Sequence, residues 1–69
     1  MTTQQRHQLG RRVRKARLAA GFSMRALSLA LQTDASYVCR IEAGRRVPSL
    51  DVLYTLAGLL GRHPSELLP

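Results

Sequence analysis

The stretch QTDASYVCRIEAGRR, from Gln32 to Arg46, sets one long donor among small side chains. As a helix over 35–43, its apolar residues Val38 and Ile41 hold one side. The other side carries Ala35, Ser36, Cys39, Arg40 and Ala43. Small groups let a helix approach a surface closely, and a single arginine can then reach into it. Arginine donates bidentately to guanine O6 and N7, a contact worth ~1–3 kcal/mol of discrimination. Ser36 can bond to any base edge and Ala35 can meet a thymine methyl, so both are weaker readers. Cys39 reads as a small filler rather than a redox thiol. Other chemistry finds little support. His7, His63 and Cys39 are too few for a metal centre at zinc spacing. No Ser/His/acid set stands out, and so short a chain can hardly enclose a substrate. The expectation is no enzyme, no metal and no cofactor.

A helix that offers an arginine to bases needs a polyanion to approach, and the charge balance points to one. Eleven Lys+Arg stand against four Asp+Glu, a formal net charge of +7. Six of the cations (Arg6, Arg11, Arg12, Arg14, Lys15 and Arg17) fall in residues 1–20, which hold no acid. All but Lys15 are arginine, the better phosphate fork. Such a domain favours nucleic acid through counterion release. The start, MTTQQRHQLGRR, has no apolar stretch, and no run reaches the ~20 apolar residues of a membrane helix. One cysteine permits no internal disulfide and suits a reducing compartment. The expected partner is a nucleic acid, the expected location cytoplasmic, with no membrane contact.

The elements that position the open face follow from punctuation and period. Sixty-nine residues make one domain with one small core. Leu9, Val13, Ala16 and Ala20 recur at helical spacing, predicting a helix over about 5–20 that Gly21 ends. Ser23 caps a second helix over 24–31, with Leu27, Ala30 and Leu31 inward. Asp34 caps the third, over 35–43, and Gly44 closes it. Pro48 cannot continue a helix, and Ser49 caps the fourth, over 50–60, with Leu50, Leu53, Leu56, Ala57 and Leu60 on one stripe. Asp51 suits that helix's first turn. Pro64 opens a last helix over 64–68. The class is all-α, five short helices without a strand. The second and third are so closely joined that they must cross as a helix-turn-helix.

The segment LGRRVRKARLAAGFSMRALSLALQTDASYVCRIEAGRRVPSLDVLYTLAGLLG resembles the lambda-repressor-like family, also described as Cro/repressor or Xre-like. Its most specific part is SYVCRIEAGRRVPSLDVLYTLA. The resemblance implies that 35–43 is the recognition helix in a DNA major groove. Ala35, Ser36, Cys39 and Arg40 then face bases. It also implies double-stranded DNA as the partner, with phosphate contacts from the backbone amides of Ser23, Met24, Arg25, Ser49 and Leu50, where helices two and four begin, and from the Tyr37 hydroxyl; the basic charge adds the Arg25, Arg45 and Arg46 side chains. In the family an arginine and a glutamate pair across helices one and three; here they are Arg17 and Glu42. Two positions depart from the pattern: Met24 replaces a common Gln, and Gln32 replaces the turn glycine.

Helix four has a second apolar line, Val52, Thr55 and Leu59, with Leu67 and Leu68 following in the chain. One core cannot easily absorb both faces, so these five residues form a candidate dimer face. A two-fold dimer would read half-sites ~34 Å apart. The sequence therefore reads as a DNA-binding regulator, a repressor acting as a homodimer on an inverted repeat. Its rivals are an antitoxin-like subunit of the same fold that binds a partner protein, and a non-specific nucleic-acid binder.

Overall fold

A computed structural model describes residues 1–69. Four α-helices follow one another: α1 Thr3–Ala20, α2 Met24–Ala30, α3 Tyr37–Glu42 and α4 Leu50–Leu60. A single 3-10 turn, Pro64–Glu66, stands where a fifth helix was expected. The bonds there run from the Glu66 amide to the His63 carbonyl and from the Leu67 and Leu68 amides to the Pro64 carbonyl, too few for a regular helix. The turn stops because Leu67 drops into the core, 1% exposed.

Local signals account for most helix boundaries. α1 starts earlier than the apolar period suggests, because Thr2 and Gln5 form a reciprocal capping box: the Gln5 amide donates to Thr2 Oγ1 (3.1 Å), and the Thr2 amide to Gln5 Oε1 (2.8 Å). Ser23 Oγ accepts from the Ala26 amide at 3.0 Å and Ser49 Oγ from the Val52 amide at 3.3 Å, as expected of N-caps. α3 is shorter than expected. Asp34 does not cap it; its Oδ1 accepts from both the Ser36 amide (3.0 Å) and Ser36 Oγ (2.7 Å), which holds Ala35 and Ser36 in a turn. Before that turn, Gln32 takes the left-handed conformation at φ 61° that the absent glycine would favour.

The core gathers Leu9, Val13 and Ala16 of α1, Leu27 of α2, Tyr37, Val38 and Ile41 of α3, and Leu53, Leu56, Ala57 and Leu60 of α4, with Leu67. Each large side chain so buried contributes about 1.5–3 kcal/mol relative to exposure. Ala20, Ala30 and Leu50, expected inward, are exposed. They lie at helix ends, where the stripe has already turned past the neighbouring helix. α3 packs against α1 and α2, while α4 packs against α1 and the last turn. No helix is long and apolar enough to cross a membrane.

Candidate nucleic-acid interface

α3 is one and a half turns long, too short to be helical by propensity alone. Three ties hold its inner side. First, Arg17 on α1 grips Glu42 at its C-terminal end, Nε to Oε2 at 2.6 Å and Nη2 to Oε1 at 3.1 Å. Both side chains are 7% exposed, and Arg17 Nη1 also donates to the Phe22 carbonyl at 2.9 Å. The hydrogen bond to Glu42 raises the Arg17 pKa above its ordinary value, against the effect of burial, so the guanidinium stays charged. This is the pair that the family resemblance implies.

The other two ties were not anticipated. Ser28, fully buried on α2, donates to the Met24 carbonyl (2.8 Å) and accepts from the Val38 amide (3.0 Å). A first-turn amide of α3 that has no partner in its own helix is thereby satisfied from α2. The sequence signal was a serine beside Leu27 on the inward side of a short apolar helix. The third tie is a close approach. A Cβ at Gly10 would lie 2.6 Å from the Glu42 carbonyl oxygen and 2.7 Å from that of Ile41, so α1 can meet the end of α3 only with glycine there. A glycine inside an arginine-rich helix, where it costs ~1 kcal/mol against alanine, was the available hint.

The outer side matches the expected open face in part. Ser36 and Cys39 are exposed, Ala35 is half-buried in the preceding turn, and Arg40 lies between. The Arg40 side chain is held: Nη1 donates to Ser36 Oγ at 2.6 Å and Nη2 to Asp34 Oδ2 at 2.9 Å. Its hydrogen bond, then those from Ser36, lower the Asp34 pKa from 3.8 to about 2. Tyr37 is 6% exposed, its ring part of the core, while its hydroxyl has no partner within the chain and is not buried. Its ring lies under Arg46, whose guanidinium carbon is 5.7 Å from the centroid. That cation–π contact orients one of the two loop arginines.

The other residues expected at phosphates lie on the surface. Ser23, Met24, Arg25, Arg45, Arg46 and Ser49 are all exposed. The amides of Met24 and Arg25, at the start of α2, and of Leu50 and Asp51, at the start of α4, donate to nothing within the chain. Unpartnered amides at helix N-termini are suited to phosphate. Three of the four acids are taken up by Arg17, Arg40 and Arg62, the last pair at 4.0 Å. Eight of the eleven cations are left without an acidic partner.

With this geometry in view, the comparisons decide the family. A family model for the helix-turn-helix matches residues 13–67, which spans α2, the turn and α3. The chain belongs to the Cro/C1-type helix-turn-helix family. At that level it is a DNA-binding transcriptional regulator. The restriction-modification controller protein C.AhdI from Aeromonas hydrophila is similar at 35% identity, over 96% of each chain, with a TM-score of 0.86. The hypothetical transcription factor NHTF from Neisseria is 27% identical, over 100% of this chain and 80% of that one, with a TM-score of 0.86. The clp gene regulator ClgR from C. glutamicum is 27% identical, over 90% of this chain and 80% of that one, with a TM-score of 0.82. No curated protein sequence matches the chain.

The five residues expected at a dimer face are not equally exposed. Leu67 is removed from it, since its side chain fills the core. Val52 is half-buried against the core, and the Thr55 hydroxyl is turned back onto the Asp51 carbonyl at 3.1 Å. Leu59 and Leu68 remain exposed, at 36% and 37%. On the other shoulder of α4, Leu50 and Tyr54 are more exposed still. They were not anticipated because Leu50 falls in step with the core stripe.

Proposed function

We propose that the protein is a sequence-specific repressor that binds an inverted-repeat operator as a homodimer in the cytoplasm. α3 lies in the major groove, with Arg40 as the principal base reader and Ser36 beside it. Arg25, Arg45, Arg46 and the free amides of α2 and α4 engage phosphates. The observation that carries this reading is the outer face of α3, where one arginine stands over small residues on a helix tied down from behind. A non-specific coat has no use for such fixing. The likeness to a controller protein, a transcription factor and a gene regulator supports regulation over coating. The exposed apolar residues of α4 would serve a second copy of the chain or, in the rival reading, a partner protein.

Selection of binding sites from random duplexes tests the proposal. A symmetric consensus with half-sites ~34 Å apart is expected. Affinity for it should fall with salt, the log–log slope being near −0.9 per neutralised phosphate. Arg40→Ala should relax preference at one base pair per half-site by ~1–3 kcal/mol. Arg45→Ala should weaken all sequences alike and flatten the slope by about one. If no consensus emerges, sequence-specific reading is wrong; if Arg40→Ala weakens every duplex equally, Arg40 is a phosphate contact and not the base reader.

A further inference from the structure

The guanidinium of Arg40 sits in a closed arrangement with two residues of the turn that precedes α3. Asp34 Oδ2 takes Nη2 (2.9 Å) and Ser36 Oγ takes Nη1 (2.6 Å). Ser36 Oγ in turn donates to Asp34 Oδ1 at 2.7 Å, and the Ser36 amide to the same oxygen at 3.0 Å. The carboxylate is anchored to the backbone of the turn before it ever meets the arginine. From this geometry we infer that Asp34 is a specificity-determining residue that positions Arg40 for base reading. The inference rests on the proposal that α3 reads bases through Arg40.

Arginine has five N–H donors, and Asp34 and Ser36 together occupy two of them. Arg40 Nε makes no hydrogen bond within the chain. Nη2 carries two hydrogens, so with Asp34 on the one beside Nη1 the Nε/Nη2 edge offers the parallel pair of N–H groups that a guanine O6/N7 edge requires. Held from its far end, a long flexible side chain loses fewer conformations when it binds. The carboxylate has a second effect. Placed beside the reading arginine, its charge opposes a slide of the guanidinium onto a phosphate, which would bind any sequence equally. Hydrogen bonds from Arg40 and then Ser36 lower the Asp34 pKa to about 2, which favours the ionised carboxylate.

The opposite reading is a latch, in which Asp34 competes with DNA for Arg40. Asp34→Asn separates the two, since asparagine keeps the acceptor for the Ser36 amide but loses the charge. The probes are a duplex selected from the random library and a scrambled duplex of the same composition. If Asp34 positions Arg40, the variant should bind the scrambled duplex more tightly, and its selected-to-scrambled ratio should fall about tenfold. The loss should be confined to the base pair that Arg40→Ala relaxes. In the Arg40→Ala background, Asp34→Asn should no longer change preference there. Unchanged far-UV circular dichroism and melting temperature would exclude a general loss of structure. A ratio that stays level or rises, while Arg40→Ala still relaxes its base pair, overturns the inference and leaves base reading intact. If Arg40→Ala relaxes no base pair, the underlying reading fails and the inference with it.

Discussion

Arg17 and Glu42 meet across α1 and α3 through two parallel hydrogen bonds, 2.6 Å and 3.1 Å long, with both side chains 7% exposed. The contact anchors the C-terminal end of α3. Removing one partner of a buried pair costs about 3–5 kcal/mol, because the other charge stays behind. Glu42→Ala should therefore lose most of the stability of so small a domain. Arg17→Ala should lose at least as much, since the Phe22 carbonyl also forfeits its donor. Urea melts of both singles and the double variant should show a double loss smaller than their sum. Additive losses would mean that the two groups act separately.

The two helix-interior glycines should respond oppositely to alanine. At Gly10 a Cβ would strike backbone carbonyls of Ile41 and Glu42, which cannot rotate away. Gly10→Ala should cost about 1–3 kcal/mol and weaken DNA binding by shifting α3. At Gly58 nothing lies within 4 Å of the added carbon. Gly58→Ala should raise stability by up to about 1 kcal/mol. Thermal melts of the two variants decide it.

Gln32 occupies a left-handed conformation, φ 61°, in the turn between α2 and α3. That conformation costs an ordinary residue about 1–2 kcal/mol. Glycine avoids the cost but gives more freedom to the unfolded chain. Gln32→Gly should give a net gain of about 0.5–1 kcal/mol, with DNA binding unchanged. A loss of stability would show that the Gln32 side chain has a role beyond the backbone.

Asp34 should titrate at about 2 in the folded chain, against an ordinary 3.8, because Arg40 and Ser36 hydrogen-bond its ionised form. The folded value lies below the unfolded one. Its stabilising effect is therefore complete above pH ~4 and is lost as pH falls through about 2. Carboxyl chemical shifts followed through an acid titration should show the low midpoint. Arg40→Ala should return the midpoint toward the ordinary value, and a midpoint that stays low would put the cause in the turn alone.

Association through α4 predicts that Leu59→Glu gives a folded monomer. Across a two-fold axis the new charge would face its own copy on burial. Sedimentation should show the parent as a dimer and the variant as a monomer, with operator affinity largely lost. A parent that stays monomeric on its operator would remove the dimer from the proposal.

What was legible in the sequence was local. The apolar period of α1 and α4, the caps at Ser23 and Ser49 and the closing glycines Gly21 and Gly61 act within about four residues of themselves. Such signals can be read along the chain, and they placed α1, α2 and α4 to within a few residues, while α3 and the last turn came out shorter than expected. The charge imbalance, legible by counting, pointed to a polyanion. The tertiary structure decided what lies between elements. Ser28 reaches Val38 ten residues on, α1 closes on α3 at Gly10, and Leu67 leaves the surface to fill the core. It also decided which way Arg40 turns, because Asp34 lies in a turn rather than capping the helix. A residue's type sets which bonds it can make. Whether a serine is buried, a glycine crowded or a leucine covered depends on the helix that packs opposite, and that neighbour is fixed only when the chain has closed on itself.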